Sequence, residues 1–238
     1  MFEDNDGFFA EDLELMSAAT NYLDWQVEVV KPYLCGRQLE IGAGVGNFSK
    51  KLACGAVSHL AIEPDEFCFR KLQENIVGAG NVKALQIRSE QLSGQPGIPS
   101  EYDSIVALNV LEHIENDGSA LQSWGEMLSV GGHIVLLVPA GEWLYGEIDR
   151  KLHHYRRYSK QRVIKLVKEA GLRVVKMKYM NCVGMWAWFW NNKVMKSSSQ
   201  DSGQIFVFDK LIVPWLRRIE SFCAPPFGQS LFVVLGKE

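Results

Sequence analysis

The chain has 238 residues, 47% hydrophobic and 22% charged, which excludes a disordered or fibrous chain. At roughly 150 residues per domain, its length predicts one large domain or one domain with an appendage. A formal net charge of -3 offers no electrostatic support for a nucleic-acid partner, which calls for a basic surface.

From Asp12 to Leu34 the apolar positions Leu13, Leu15, Met16, Ala19, Leu23, Val27 and Val30 recur at helical spacing, and Pro32 ends the run. A short strand, 38–41, leads into Gly42-Ala43-Gly44-Val45-Gly46, and a helix opens at Asn47. A second strand, 59–62, is followed by Glu63-Pro64-Asp65 and a helix over 66–76. A third strand spans 82–87, and Gly94, Pro96, Gly97 and Pro99 mark a loop. Strand 103–108, helix 118–128, a turn at Gly131-Gly132 and strand 134–138 complete the first part. The aliphatic run 134–138 belongs to a strand buried on both faces.

After Pro139 a loop rich in His, Arg and Tyr precedes a helix over 160–170, with Ser159 as N-cap and Gly171 beyond its end. Strand 174–179, an aromatic and irregular region from 181 to 226, and strand 231–235 follow. Alternating strands and helices predict a doubly wound, mostly parallel α/β sheet with helices on both faces. The last strand is expected to run antiparallel beside strand 174–179 at one sheet edge. Residues 1–140 then hold an N-terminal helix and a ligand-binding core. Residues 141–238 supply a substrate-side loop, helix, edge strands and aromatic cap within the same domain.

Cys35, Cys54, Cys68, Cys182 and Cys223 form no C-x-x-C pair, and no histidine stands at finger spacing. That pattern predicts reduced, mostly buried thiols in a cytosolic protein, and no metal site. The first thirteen residues are acidic and polar, unlike a signal peptide. No apolar run reaches the ~18 residues of a membrane span.

The glycine loop sits between a strand and a helix, where glycines let the backbone approach a ligand closely. Its spacing is G-x-G-x-G. The dinucleotide fingerprint needs a further glycine where Asn47 stands, which disfavours a pyrophosphate ligand. Glu63 follows Gly42 by 21 residues, the interval at which nucleotide folds place a ribose-binding acid. The bland reading is an acid that initiates the helix beginning at Glu66.

These residues resemble those of the class I S-adenosylmethionine-dependent methyltransferases. The resemblance rests on Leu39 to Asn47, Glu63, Asn109-Val110-Leu111-Glu112-His113-Ile114 and Val130-Gly131-Gly132-His133-Ile134-Val135. The flanks are similar to those of a bacterial subgroup associated with envelope glycan and lipid genes. They are Asn21 to Trp25, Leu144-Tyr145-Gly146 through His153-His154-Tyr155-Arg156-Arg157-Tyr158, and Pro226 to Leu231. The resemblance implies a Rossmann-like fold and S-adenosyl-L-methionine as cofactor, with S-adenosyl-L-homocysteine as product. Gly42, Ala43, Gly44 and Gly46 would cradle the methionine part, and Glu40 would hold its amino group. Glu63 would take the ribose hydroxyls, with Pro64 and Asp65 beside the adenine and Ser89 or Glu90 at its amino group. Asn109, Val110 and Leu111 would form the floor under the sulfonium, with Tyr22 and Trp25 above the cofactor.

Methyl transfer to oxygen or nitrogen gains from a general base. His59 and His133 lie on strands and read as structural. His113 stands at the ligand end of the fourth strand, and His154 in the loop after the fifth is the stronger candidate base. Tyr145, His153, Arg156, Arg157 and Tyr158 are expected to face the acceptor. For Arg156 and Arg157, anion binding competes evenly with an ion pair to Asp149 or Glu147.

Five of seven tryptophans follow residue 140. Met185, Trp186, Trp188, Phe189 and Trp190 cannot all be buried against one face of a helix or strand. Trp215 beside Arg217 and Arg218 suits a membrane interface. A folded cap or dimer contact is the favoured alternative. The expectation is a cytoplasmic methyltransferase, peripheral at the inner membrane if the tail meets lipid. It acts on a small or lipid- or glycan-linked acceptor. A non-catalytic cofactor-binding scaffold and an NAD-dependent oxidoreductase are the rival readings.

Overall fold

The computed structural model describes residues 16–92, 95–190 and 202–237. The start of the predicted first helix, the acidic segment before it and Gly94 lie outside the described residues. The helix α1 (Thr20–Val30) runs into a 3₁₀ turn at Lys31–Tyr33, where Pro32 sits without needing a backbone donor. Then follow β1 (Arg37–Ile41), α2 (Ser49–Leu52), β2 (Ser58–Ile62), α3 (Glu66–Asn75), β3 (Val82–Leu85) and β4 (Tyr102–Leu108). The helix α4 (Asp117–Glu126), β5 (Leu128–Pro139), α5 (Glu147–Lys151), α6 (Lys160–Glu169) and β6 (Leu172–Met180) continue the chain. The last part contains α7 (Cys182–Phe189), α8 (Ser202–Val207), a π-helical turn (Phe208–Ile212), α9 (Val213–Phe222) and β7 (Ser230–Lys237).

The strands form one seven-stranded sheet in the order β3-β2-β1-β4-β5-β7-β6. The first five are parallel, and β7 inserts antiparallel between β5 and β6. Alternate residues of β5 face opposite sides. Ile134, Leu136 and Val138 pack with Leu121, Trp124, Val163 and Val167 from α4 and α6. Val135 and Leu137 pack with Trp25, Val27, Val30, Val213 and Leu216 from α1 and α9. Each such side chain contributes about 1.5–3 kcal/mol on burial, so two covered faces fix a central hydrophobic sheet. Side chains set the helix starts. Asp65 accepts from Cys68 N at 2.8 Å, Asn116 from Ser119 N at 3.1 Å, and Ser159 from Arg162 N at 3.3 Å.

Three expectations change. Gly131 and Gly132 lie inside β5, at an irregularity of its register with β4, rather than in a turn before it. Within the described part of the stretch expected to be irregular, residues 182–189 and 202–222 are helical, and the short segment 223–229 before β7 is not. The helix α7 buries Met185 but leaves Trp186 and Trp190 exposed, so its apolar residues have no helical period to read. The free cysteines are mostly not buried: Cys35, Cys54 and Cys223 are exposed, and Cys68 is buried. Among the described residues no helix is long and apolar enough to cross a membrane.

One buried carboxylate helps tie the N-terminal helix to the C-terminal part, beside the Glu28–Arg217 pair and the Lys210–Thr20 hydrogen bond. Asp209, buried in the π-helical turn, accepts from Tyr22 N at 2.9 Å and Asn21 Nδ2 at 3.1 Å. Glu220 on α9 similarly accepts from Asn181 N and Cys182 N at 3.0 Å, holding the start of α7.

Candidate active site

A cavity of about 1050 Å³ opens where β1, β2, β4 and β5 end. Doubly wound sheets place ligands at this end of the strands. Gly42 and Gly44 take φ of 66° and 56° there. A Cβ on Gly42 would stand 2.6 Å from Val110 Cγ2, so only glycine lets the loop approach the end of β4 this closely. Glu63 follows β2, and its two oxygens accept from Gly44 N at 2.8 Å and Asp65 N at 3.0 Å. The helix-initiating role falls to Asp65, which leaves Glu63 as a buried carboxylate on the cavity wall. Burial raises its carboxyl above the ordinary value, more than the Asp65 and Gly44 amides lower it. Glu40 also lines the cavity and meets His59 Nε2 at 2.8 Å, while His59 Nδ1 meets Gln38 Oε1 at 2.9 Å.

Tyr22, Ala43, Pro64, Asp65, Ser89, Glu90, Asn109 and Val110 line the same cavity. Gly46 does not: it packs close to Leu72 of α3. Leu111 is buried beneath the wall, and Trp25 belongs to the core beside Tyr22. Asn109, His153 and Asn181 are the described non-glycine residues with positive φ, and all three line the cavity. Strain of this kind collects at functional sites.

The other half of the cavity is built from Ile114, Ile148, Leu152, Ala187 and Trp188, with Gly203 to Ile212 beyond. Between the halves stand Glu112, His113 and His154. Glu112 and His113 belong to a 3₁₀ turn after β4, and the Tyr155 amide donates to Glu112 O at 2.8 Å. The His113 and His154 rings meet edge-on, with centroids 4.7 Å apart. His154 Nδ1 lies 2.9 Å from Asp149 Oδ1, which also accepts from Arg157 Nε at 2.8 Å. Burial pushes the Glu112 carboxyl up to about 8 and the His113 ring down to about 3.

Arg157 is therefore engaged by Asp149 and Ala140 O, while also lining the cavity and lying 4.5 Å from the Trp188 ring centre. Glu147 pairs with Arg150 instead. Arg156 pairs with Asp117 at 2.9 Å and donates to two backbone carbonyls, away from the cavity lining. Tyr158 is fully buried, with its hydroxyl 3.1 Å from Leu111 O and from Asp117 Oδ2. Tyr145 donates to His154 O at 2.7 Å and does not line the cavity. Sequence reasoning missed Glu112. The signal was the adjacent Glu112-His113 pair at a strand end, but its meeting with His154 is a tertiary fact.

Residues 39–134 match the family model described as a methyltransferase domain. The ubiquinone biosynthesis O-methyltransferase of Dechloromonas aromatica is 24% identical over 152 residues, 58% of this chain and 64% of that protein. This chain thus spans less than two-thirds of that relative's length. A SAM-dependent methyltransferase of Thermotoga maritima superposes with a TM-score of 0.65 at 16% identity, covering 96% of this chain and 95% of that one. Magnesium protoporphyrin IX methyltransferase of Synechocystis, solved with bound SAH, gives 0.58 at 15% identity, covering 93% and 84%.

Proposed function

We propose that the chain is a class I S-adenosylmethionine-dependent methyltransferase, its residues 39–134 matching a methyltransferase-domain model, and that it methylates a hydroxyl of a small or lipid-linked, largely apolar acceptor. One observation carries this reading. The cavity is two-sided, with Glu40, Glu63 and the glycine loop on one wall and Ile114, Ile148, Leu152 and Trp188 on the other. The ionisable cluster Glu112, His113 and His154 stands between them.

The residues on the first wall fit the cofactor. Glu63 offers a buried carboxylate to two ribose hydroxyls, and the Gly42–Val110 approach leaves a groove for a slender chain. Glu40 would hold the amino group, Pro64, Asp65, Ser89 and Glu90 would border the base, and Asn109 and Val110 would lie beneath the reacting centre, all of them residues that line the cavity. When bound, the cofactor supplies a methyl group on a sulfonium, which a nucleophile takes by in-line displacement. The chain's own part is position, worth about 7–11 kcal/mol for well-oriented partners, and disposal of the hydroxyl proton. The cluster at Glu112, His113 and His154 handles that proton on the acceptor side. Asp149 orients the His154 ring by fixing its Nδ1.

The relatives named ubiquinone biosynthesis O-methyltransferases support oxygen as the acceptor atom. The apolar second wall supports an acceptor that leaves water readily. The test is transfer of labelled methyl from S-adenosylmethionine to catechols, prenylated phenols and amine analogues. Label is expected on the hydroxyl compounds. Transfer to amines alone, or to none while the cofactor binds, would overturn the reading.

A further inference from the structure

We propose that Glu112, His113 and His154 bind one divalent transition-metal ion of the zinc type at the acceptor side of the cavity. The three residues each offer one ligand atom, and these atoms lie within 4.8 Å of one another. A tetrahedral ion with bonds of about 2.0–2.1 Å needs ligands roughly 3.4 Å apart, a contraction that side-chain rotation supplies.

The carboxylate is the first argument. Glu112 is fully buried, lines the cavity, and neither of its oxygens has a hydrogen-bond partner. A buried carboxylate with no donor from another residue is costly, and a cation is the partner that its surroundings lack. Arg157, the nearby cation, spends its guanidinium on Asp149 and Ala140 O.

The histidines are the second. His154 commits Nδ1 to Asp149 Oδ1 at 2.9 Å, which leaves Nε2 for a ligand. Asp149 is itself fixed by Arg157 Nε at 2.8 Å and Gly146 N at 3.0 Å. His113 commits one ring nitrogen to the backbone of Leu152. Each imidazole is thus held at one ring nitrogen by a protein acceptor, as metal-bound histidines are.

The donor set decides the ion. Two imidazoles and one carboxylate are the ligands of zinc sites that keep an open position, whereas magnesium and calcium prefer oxygen alone. An open position on such an ion would be available to a hydroxyl in the cavity that all three residues line. The use of the ion rests on the hydroxyl-methylation reading, because a hydroxyl held there gives up its proton to water more readily. His154 is then a ligand rather than a base. The binding itself stands apart from that reading.

The test uses untagged full-length protein, stripped by chelator and then equilibrated with zinc chloride or magnesium chloride. Elemental analysis should give one zinc per chain and no retained magnesium. Cobalt loading should give the visible absorption of a low-symmetry site. Glu112→Gln, which preserves shape, and His154→Ala should each weaken zinc binding at least tenfold. Asp149→Asn should weaken it roughly ten- to a hundredfold. His133→Ala should leave it unchanged. Calorimetric binding of S-adenosylmethionine, intact in each variant, verifies folding. No stoichiometric zinc in the wild type, or equal zinc in Glu112→Gln and His154→Ala, would overturn the proposal. Zinc bound with no hydroxyl methylated would instead leave the site standing and remove the acceptor reading.

Discussion

Glu63 Oε2 accepts the Gly44 amide at 2.8 Å, which ties the end of β2 to the loop that leaves β1. The same carboxylate takes Asp65 N on its other oxygen. Two backbone donors fix its direction and leave its remaining lone pairs toward the cavity. Glu63→Ala should therefore weaken cofactor binding by about 1.5–3 kcal/mol, roughly 10- to 150-fold in Kd by calorimetry. An unchanged Kd would remove Glu63 from the cofactor site.

The same residue predicts a pH dependence. Burial holds its folded-state carboxyl above 4.5. The ionised form receives the ribose hydroxyls, so Kd should rise as pH falls through that elevated value. Stability runs the other way. Glu63 holds its proton more tightly folded than unfolded, so its contribution is complete below the unfolded pKa and declines as pH rises through the folded one. Glu63→Gln should flatten both trends in calorimetry and thermal melts between about pH 5 and pH 8. Wild-type and Gln proteins with identical slopes would contradict this assignment.

Gly42→Ala separates backbone strain from steric approach. The new Cβ would meet Val110 Cγ2 at 2.6 Å, at a φ of 66°. Left-handed backbone alone costs an alanine about 1–2 kcal/mol. Gly55 is a control, since it has a φ of 91° and nothing within 4 Å of a Cβ. Both alanine variants should melt several degrees lower, but only Gly42→Ala should raise the cofactor Kd, by about tenfold or more. Equal Kd in the two would show that the groove does not depend on this approach.

The contrast between Glu63 and Glu112 explains how much was legible in sequence. Glu63, the glycine loop and the five parallel strands follow from local signals: spacing along one chain, aliphatic runs and turn residues. Glu112 stood in a quoted motif, yet its importance depends on His154 and Asp149, which arrive from a loop after β5. For Arg157 the sequence left an anion site and an ion pair open, and only tertiary packing sets its bond to Asp149. The helices α7 to α9 were hard to read because their described aromatics are exposed or half-buried, while the covered positions include Met185, Val213, Leu216 and Glu220, so aromatic spacing did not mark the buried face.

Asp209 tests how far the C-terminal part holds the N-terminal cover. Its buried carboxylate receives Tyr22 N and Asn21 Nδ2, and Tyr22 lines the cavity. Asp209→Ala leaves those donors without their charged acceptor, at about 1–3 kcal/mol. Hydrogen exchange should quicken in the first turn of α1 while β4 and β5 stay protected. The cofactor Kd should rise severalfold as Tyr22 loses its anchor. Unchanged exchange at α1 would show that the remaining ties, core packing of Trp25 and Val30 and the Glu28–Arg217 pair, secure the helix without the Asp209 carboxylate.

Trp188 reports on the acceptor. Its Nε1 is buried without a hydrogen-bond partner, and the residue lines the apolar half of the cavity. The ring also lies against the Arg157 guanidinium, 4.5 Å from its centre. A bound acceptor with an oxygen in reach would satisfy that N–H. Trp188→Phe keeps a ring against Arg157 and removes only the donor, so KM for a hydroxylated aromatic acceptor should rise about 2- to 13-fold, the equivalent of one neutral hydrogen bond of about 0.5–1.5 kcal/mol. The turnover number should change little, because the bond is present before and during transfer. Trp188→Ala removes the cation–π contact and the apolar wall as well, and should raise KM further. A Phe variant equal to wild type, with only the Ala variant impaired, would show that the ring acts through its surface and that the N–H meets no acceptor atom.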